Sequence, residues 1–243
     1  IASYSAVDLA GRVAAARGAA RLAWLLGGAL ALGGGIWAMH FTAMLAHPFP
    51  APVGYDLPTV ALSLLIAIVA AAPALQFSGG ASLTWPRLLA GGALVGAGIG
   101  AMHYTGMAAL RQVALTYDPA LVALSIGIAL VAATVALRVA FALRAVSGAP
   151  ALPRKLAAAS LLGVAISGMH YTGMAATSFA PLASGEAALG LQAAALPLGV
   201  GIAVVTILTL GLTLSMGLLD RRLAQQSRAR TRAEQQYQSL FTH

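Results

Sequence analysis

The sequence predicts an all-α fold: a polytopic membrane helical bundle of six complete transmembrane helices behind a truncated first one, seven in the full domain, built from three two-helix repeats. Three observations predict it. Of 243 residues, 60% are hydrophobic and only 8% charged, where a soluble domain carries about 25% charged residues. The apolar residues gather in segments close to the roughly 20 residues that cross a bilayer. One hexapeptide pattern, Met-His-aromatic-Thr-small-Met, occurs three times: Met39-His40-Phe41-Thr42-Ala43-Met44, Met102-His103-Tyr104-Thr105-Gly106-Met107 and Met169-His170-Tyr171-Thr172-Gly173-Met174.

Residues 1–17 read as the end of a helix, with Arg12, Arg17 and Arg21 marking where it leaves the membrane. Residues 22–46 form the first full span and carry the first motif. The loop from His47 to Asp56 has proline at every second position through Pro52 and cannot be helical. Residues 58–77 span next, with Pro73 tolerated near the end. After a turn from Ser78 to Arg87, residues 88–110 carry the second motif and 119–143 return. Arg144 to Lys155, with Pro150 and Pro153, reads as a loop. Residues 156–179 carry the third motif, Pro181 to Gly190 is a loop holding Glu186, and 192–219 form the last span. The domain so defined is 1–219. Residues 220–243 are polar and basic, and read as a cytoplasmic helical linker leading to an output domain beyond them.

The motif histidines are spaced by 63 and then 67 residues, about one helix pair. Val60-Ala61-Leu62-Ser63 and Val122-Ala123-Leu124-Ser125 repeat inside the second helices of two such pairs. An acid, Asp56, Asp118 or Glu186, follows each histidine by 15 or 16 positions and reads as a solvated loop residue.

The net charge of +8 does not point to nucleic acid, because the basic residues sit in short loops on one side. Those are Arg12, Arg17, Arg21, Arg87, Arg144, Arg154, Lys155, Arg221 and Arg222; the other side has the three acids and Arg111. The excess of Lys and Arg marks the cytoplasmic face. The motifs then lie in the outer half of the membrane and the C-terminus is cytoplasmic. With no cysteine, disulfides and thiolate metal sites are excluded.

An imidazole inside a membrane span is expensive and marks a functional site. Residues i and i+4 share a helix face, so His40 pairs with Met44, His103 with Met107 and His170 with Met174 as candidate metal ligands. The small residue at i+3 lets helices approach. Met39, Met102 and Met169 point about 100° away and are further candidates, as is His47, seven positions after His40 on the same face. Thioethers are soft and favour Cu(I), while imidazole suits copper, zinc and iron. The set favours copper, with zinc behind it and haem iron on a histidine pair as another alternative. Gly33-Gly34-Gly35, Gly91-Gly92 and Gly96 serve helix packing. No nucleophile or acid/base constellation accompanies the motif, so this segment is not expected to be an enzyme.

At these residues the chain resembles the bacterial MHYT family of integral membrane sensor domains, named for the tetrapeptide at Met102-His103-Tyr104-Thr105 and Met169-His170-Tyr171-Thr172. The first copy departs, with Phe41 in the tyrosine position. The resemblance covers residues 1–219. It implies a seven-helix domain of the bacterial inner membrane that binds copper and through it senses oxygen, carbon monoxide or nitric oxide. It also implies cytoplasmic PAS, GGDEF and EAL output domains in the same full-length chain, governing cyclic di-GMP. The segment Tyr237-Gln238-Ser239-Leu240-Phe241 is similar to the start of a PAS domain.

Two other functions fit parts of the pattern. One is a copper or proton transporter or channel, since transporters also use internal repeats; the inner halves of the spans carry almost no polar residues to line a pathway. The other is a structural anchor that only holds the chain in the bilayer and pairs it as a homodimer.

Overall fold

The computed structural model describes residues 2–78, 80, 82–144, 151–182 and 196–212, with 214, 215, 218, 225 and 226 beyond them. Their helices are α1 (Ala2–Ala15), α2 (Gly18–Ala46), α3 (Leu57–Ser78), α4 (Trp85–Ala108), α5 (Pro119–Leu143), α6 (Ala151–Ala175) and α7 (Leu196–Leu212). Four of these, α2 to α5, are long and apolar enough to cross a membrane. The protein is a membrane protein, mostly helical.

Local chemistry sets the helix ends. Gly18 at φ +56° separates α1 from α2, a conformation glycine adopts without a Cβ penalty. The Asp118 side chain accepts from the backbone N–H groups of Ala120 and Leu121 and caps α5, with Pro119 in its first turn. The expected loop from Arg144 to Lys155 is shorter than read: α6 opens at Ala151 and takes Pro153 into its first turn, where proline removes no intrahelical bond.

The surface is arranged for lipid. Through the middle of α3 the large aliphatics Leu62, Leu65 and Val69 are exposed, while Ser63, Ala67, Ala70 and Ala71 are buried. Small residues inside and large aliphatics outside is how membrane helices pack, because lipid solvates leucine as well as a neighbouring helix does. Of the glycines expected to serve packing, Gly33, Gly34, Gly91, Gly92 and Gly96 do so. A Cβ on Gly33 would stand 2.6 Å from the backbone of Ile68 in α3, and one on Gly96 would stand 2.7 Å from Leu130 Cα in α5.

Successive helices from α1 to α6 pack on one another, and α1 also packs on α6, so the six close into a ring. Helices α1, α3 and α5 touch one another as well, and each supplies a leucine no more than 2% exposed: Leu9, Leu75 and Leu137. An ion pair fastens the closure. Asp8 of α1 lies 2.7 Å from Lys155 of α6 and 3.2 Å from Arg12.

The expectation of a purely helical chain is corrected at the connections. Four short strands, β1 (Gly54–Tyr55), β2 (Leu110–Arg111), β3 (Val113–Tyr117) and β4 (Thr177–Pro181), pair antiparallel as β1 with β2 and β3 with β4. The motif helices therefore end at Ala108 and Ala175, not at 110 and 179. β-branched and aromatic residues in Val113–Tyr117 and Thr177–Pro181 suit strands, and Gln112 at φ 68° turns the chain between β2 and β3.

The chain divides into a unit spanning 1–209 and a second spanning 210–243. Glu186 and the expected linker, apart from 225 and 226, lie outside the described residues.

Candidate metal centre

Helices α2, α4 and α6 each bring their motif histidine to one point. His40, His103 and His170 are 0%, 1% and 2% exposed. His40 Nδ1 lies 3.0 Å from His170 Nδ1 and 3.2 Å from His103 Nδ1. The three rings stand edge to face, with centroids 4.9, 5.0 and 5.2 Å apart and interplanar angles of 80°, 84° and 86°. Among the described residues they form a group of three buried donors able to hold a metal ion.

Hydrogen bonding alone does not satisfy this arrangement. Each ring nitrogen offers one lone pair or one N–H, never both. His40 Nδ1 faces two other Nδ1 atoms and accepts from, or donates to, only one of them well. The outward Nε2 atoms of all three rings are buried and have no hydrogen-bond partner among the described residues. A cation at the centre would take three lone pairs at once and leave an N–H on each Nε2. Metal–nitrogen bonds of about 2.0–2.1 Å put the nitrogens of a trigonal or tetrahedral site about 3.3–3.6 Å apart. The observed spacing is a few tenths tighter, so the residues fit a small first-row ion.

The motif's small residue has a sharper role than helix approach. A Cβ on Gly106 would run into His40 Nε2, and one on Gly173 into His103 Nε2. The imidazoles of His40 and His103 thus lie over the glycine of the next repeat, and glycine makes room for the ring. Nothing in the spacing alone pairs a histidine with another repeat's glycine.

The other candidates are placed as follows. Met44, Met107 and Met174 are buried, one helical turn from the histidines toward the strands. Met102 and Met169 are buried and Met39 partly so; Met102 faces a small apolar cavity with Ile99, Val95 and Ile36. His47 is the C-cap of α2, where its ring meets Phe49 and Phe179. The Thr172 hydroxyl donates to Gly168 O, four residues earlier in the same helix. Tyr171 is exposed, whereas Tyr104 turns inward to share a 2.7 Å hydrogen bond with Ser125.

The strands form a lid over this end of the bundle. Ala109, Leu110, Val113, Ala176 and Thr177 are all at most 7% exposed. Backbone bonds tie it to the helix starts: Asp56 N–H donates to Ala109 O and Asp118 N–H to Ala176 O, each 2.8 Å. Asp56 accepts from the Thr59 hydroxyl and N–H and pairs with Arg111 at 2.7 Å. Those bonds, Thr59 first, hold its carboxyl down at about 2. Burial pushes the Tyr55 hydroxyl up to about 12. Asp56 and Asp118 are therefore helix caps and lid anchors, more than the solvated acids read from the sequence.

With this geometry in hand, comparison with known proteins is decisive. The family described as MHYT, bacterial signalling protein N terminal repeat, matches residues 33–91, 96–151 and 163–226. The chain belongs to the MHYT family. Each match contains one of the three motifs. Among curated relatives, the chain is 49% identical over 92% of its length to the bifunctional diguanylate cyclase/cyclic di-GMP phosphodiesterase MucR of Pseudomonas aeruginosa. It is 41% identical over 94% to the cyclic di-GMP phosphodiesterase NbdA of the same organism, and 34% identical over 100% to the signalling protein YkoW of Bacillus subtilis. It spans 32%, 30% and 30% of those proteins. No solved structure matches it. This MHYT segment is a sensory domain of signalling proteins and not the enzyme part of them.

Proposed function

We propose that the chain is the input domain of a cyclic di-GMP signalling protein and holds a copper ion on His40, His103 and His170. The observation that carries this reading is the convergence of three buried imidazoles, whose Nδ1 atoms meet at His40 while their Nε2 atoms have no hydrogen-bond partner among the described residues. Copper ranks ahead of zinc because Met44, Met107 and Met174 place soft thioethers one turn away. An axial haem pair is less well supported: it needs two nitrogens on opposite faces of a porphyrin, and His40 Nδ1 lies only 3.0 Å from that of His170 and 3.2 Å from that of His103. Bound there, copper would supply a redox couple and a coordination position for oxygen, carbon monoxide or nitric oxide.

The protein's own residues do the rest. The lid excludes water, the glycines at 106 and 173 seat the rings, and the methionines line the adjoining turn. A change of the triad has a route outward: Trp37, one turn before His40, donates to Ser63 in α3 at 3.1 Å and stands beside Gly201 of α7. A Cβ on Gly34 would lie 2.8 Å from Val205, also in α7. Movement of α2 thus reaches the helix that leads to the tail, and through it the PAS, GGDEF or EAL domains of a full-length, dimeric protein.

In this reading all of α2 to α7 cross the bacterial inner membrane, in three repeats of two helices with α1 as part of a seventh. The basic end, with Lys155 and Arg12, faces the cytoplasm, and the lid and triad lie in the periplasmic half. A transporter is disfavoured because the cavities behind the triad are almost wholly aliphatic.

The test is elemental analysis and an absorption spectrum of the purified domain beside the His40→Ala/His103→Ala/His170→Ala variant. Copper in the wild type and none in a folded variant is the expected result. Equal metal in both overturns it, and a Soret band replaces copper by haem.

A further inference from the structure

We infer that a small apolar molecule reaches the histidine triad from the lipid side, through a groove between α5 and α6 and two dry cavities behind it. The inference rests on the proposed metal centre only for the destination; the path itself is a matter of geometry.

The groove has a volume of about 560 Å³ and opens on the outer surface of the bundle, between residues such as Gly127, Val131 and Ala132 of α5 and Leu161, Leu162 and Ala165 of α6. Its origin lies in two differences between repeats. In the preceding pair, a Cβ on Gly98 of α4 would run into Ala70 of α3, so those helices lie close. The matching position in α6, five residues before its motif histidine, is Ala165, which needs room for its methyl. The position in α5 matching Leu65 of α3 is Gly127, which has nothing within 4 Å among the described residues. One substitution parts the helices and the other leaves the gap unfilled.

The groove shares Ala136 and Leu162 with a second cavity of about 50 Å³. That cavity shares Leu32, Ile36, Val95 and Ile99 with a third of about 10 Å³, which ends on Met102, the residue before His103. The walls are aliphatic or thioether except for Ser78, whose hydroxyl is already used in donating to Ala74 O at 2.6 Å. A buried water needs two to four polar partners, and an ion needs far more, so this chain of cavities is dry. The last cavity holds about one water-sized sphere, which selects molecules of diatomic size. The opposite approach is blocked by the lid. Uncharged apolar gases concentrate in hydrocarbon, so the groove mouth is where their supply is richest.

The experiment uses xenon as the probe. Crystals of the detergent-purified or lipid-embedded protein are pressurised with xenon, for wild type, Ala136→Phe, which plugs the junction of the groove with the second cavity, and Gly127→Leu, which extends into the mouth from a position where a Cβ meets nothing within 4 Å among the described residues. Xenon in the second cavity of the wild type, lost or markedly reduced in the plugged variants, is the expected result. A wild type with no xenon behind the groove overturns the path whatever metal is bound. On copper(I)-loaded protein, carbon monoxide association slows at least tenfold in Ala136→Phe and is unchanged in Arg111→Ala, which loosens the lid. The reverse pattern overturns the inference by assigning access to the lid. If no metal binds, the xenon result decides the path by itself, and only the destination falls.

Discussion

The Nδ1 atoms of His40 and His170 lie 3.0 Å apart although 130 positions separate them in the chain. Two imidazole nitrogens at that distance share one proton, and with His103 beside them the cluster is incompletely satisfied without a cation. A half-satisfied buried network is worse than an apolar core. Metal-free wild type is therefore expected to melt no higher than the His40→Leu/His103→Leu/His170→Leu variant, whose side chains are of similar volume. Added copper raises the wild type alone, by about 2.7 kcal/mol at a hundredfold excess over Kd. Thermal unfolding in detergent, with and without copper, checks this. A metal-free wild type clearly more stable than the variant would mean that the three rings satisfy one another.

The glycines under the rings supply a second prediction. Gly106→Ala and Gly173→Ala place a methyl against His40 Nε2 and His103 Nε2. Overpacking of this kind costs about 1–3 kcal/mol, and the displaced ring weakens metal binding as well. Gly127→Ala and Gly163→Ala, where a Cβ meets nothing within 4 Å, are expected to be neutral or slightly stabilising. Melting temperature and copper affinity measured on all four variants separate the two classes. Equal effects in both would show that the motif glycine acts only through the backbone.

Much of this was legible in the sequence, for definite reasons. The helices followed from apolar run length, and the histidines from their repetition at one position in each run. The lid was not legible: Gly54-Tyr55 and Leu110-Arg111 are too short to show an alternation, and their pairing joins Gly54 to Arg111 and Tyr55 to Leu110, 57 and 55 positions apart. The five-residue run Val113–Tyr117 carries a strand signal in its valine, threonine and tyrosine, but it is short and directly adjoins an apolar helix. Asp8 is one acid in a moderately apolar helix and has no period to betray its partner. That partner, Lys155, lies 147 positions away. The seating of His40 over Gly106 depends on the order of helices around the ring, which no local pattern states.

The lid should respond to acid through Asp56. Its carboxyl is held at about 2 against an ordinary 3.8, by the Thr59 hydroxyl first and then Arg111. A depressed carboxyl stabilises the structure fully above pH 3.8, and that contribution fades as pH falls toward 2. Amide exchange at Tyr55, Leu110 and Asp56 is expected to quicken, relative to the bundle core, across this interval. In Asp56→Asn it should be faster at neutral pH and lose this step. An unchanged acid step in the variant would assign it to another group.

The ring closure at the opposite end yields the last prediction. Asp8 faces two cations, Lys155 at 2.7 Å and Arg12 at 3.2 Å, and all three side chains are less than 20% exposed. Removing the acid takes the carboxylate from two partly buried cations, Lys155 and an Arg12 that also stacks on the Trp24 ring, whereas removing the lysine leaves Asp8 with Arg12. Asp8→Ala is therefore expected to cost about 1–3 kcal/mol, and Lys155→Met less than about 1 kcal/mol. In the double variant no lysine is left without its carboxylate and Arg12 keeps the Trp24 ring, so it should recover part of the loss from Asp8→Ala. The stabilities of the two single variants and the double give the coupling directly. Because α1 meets α6 at this pair, protease sensitivity of α1 should rise in Asp8→Ala while α3 to α5 remain protected. A loss that is equal in both single variants would place the energy in the Asp8–Lys155 pair alone and leave Arg12 a bystander.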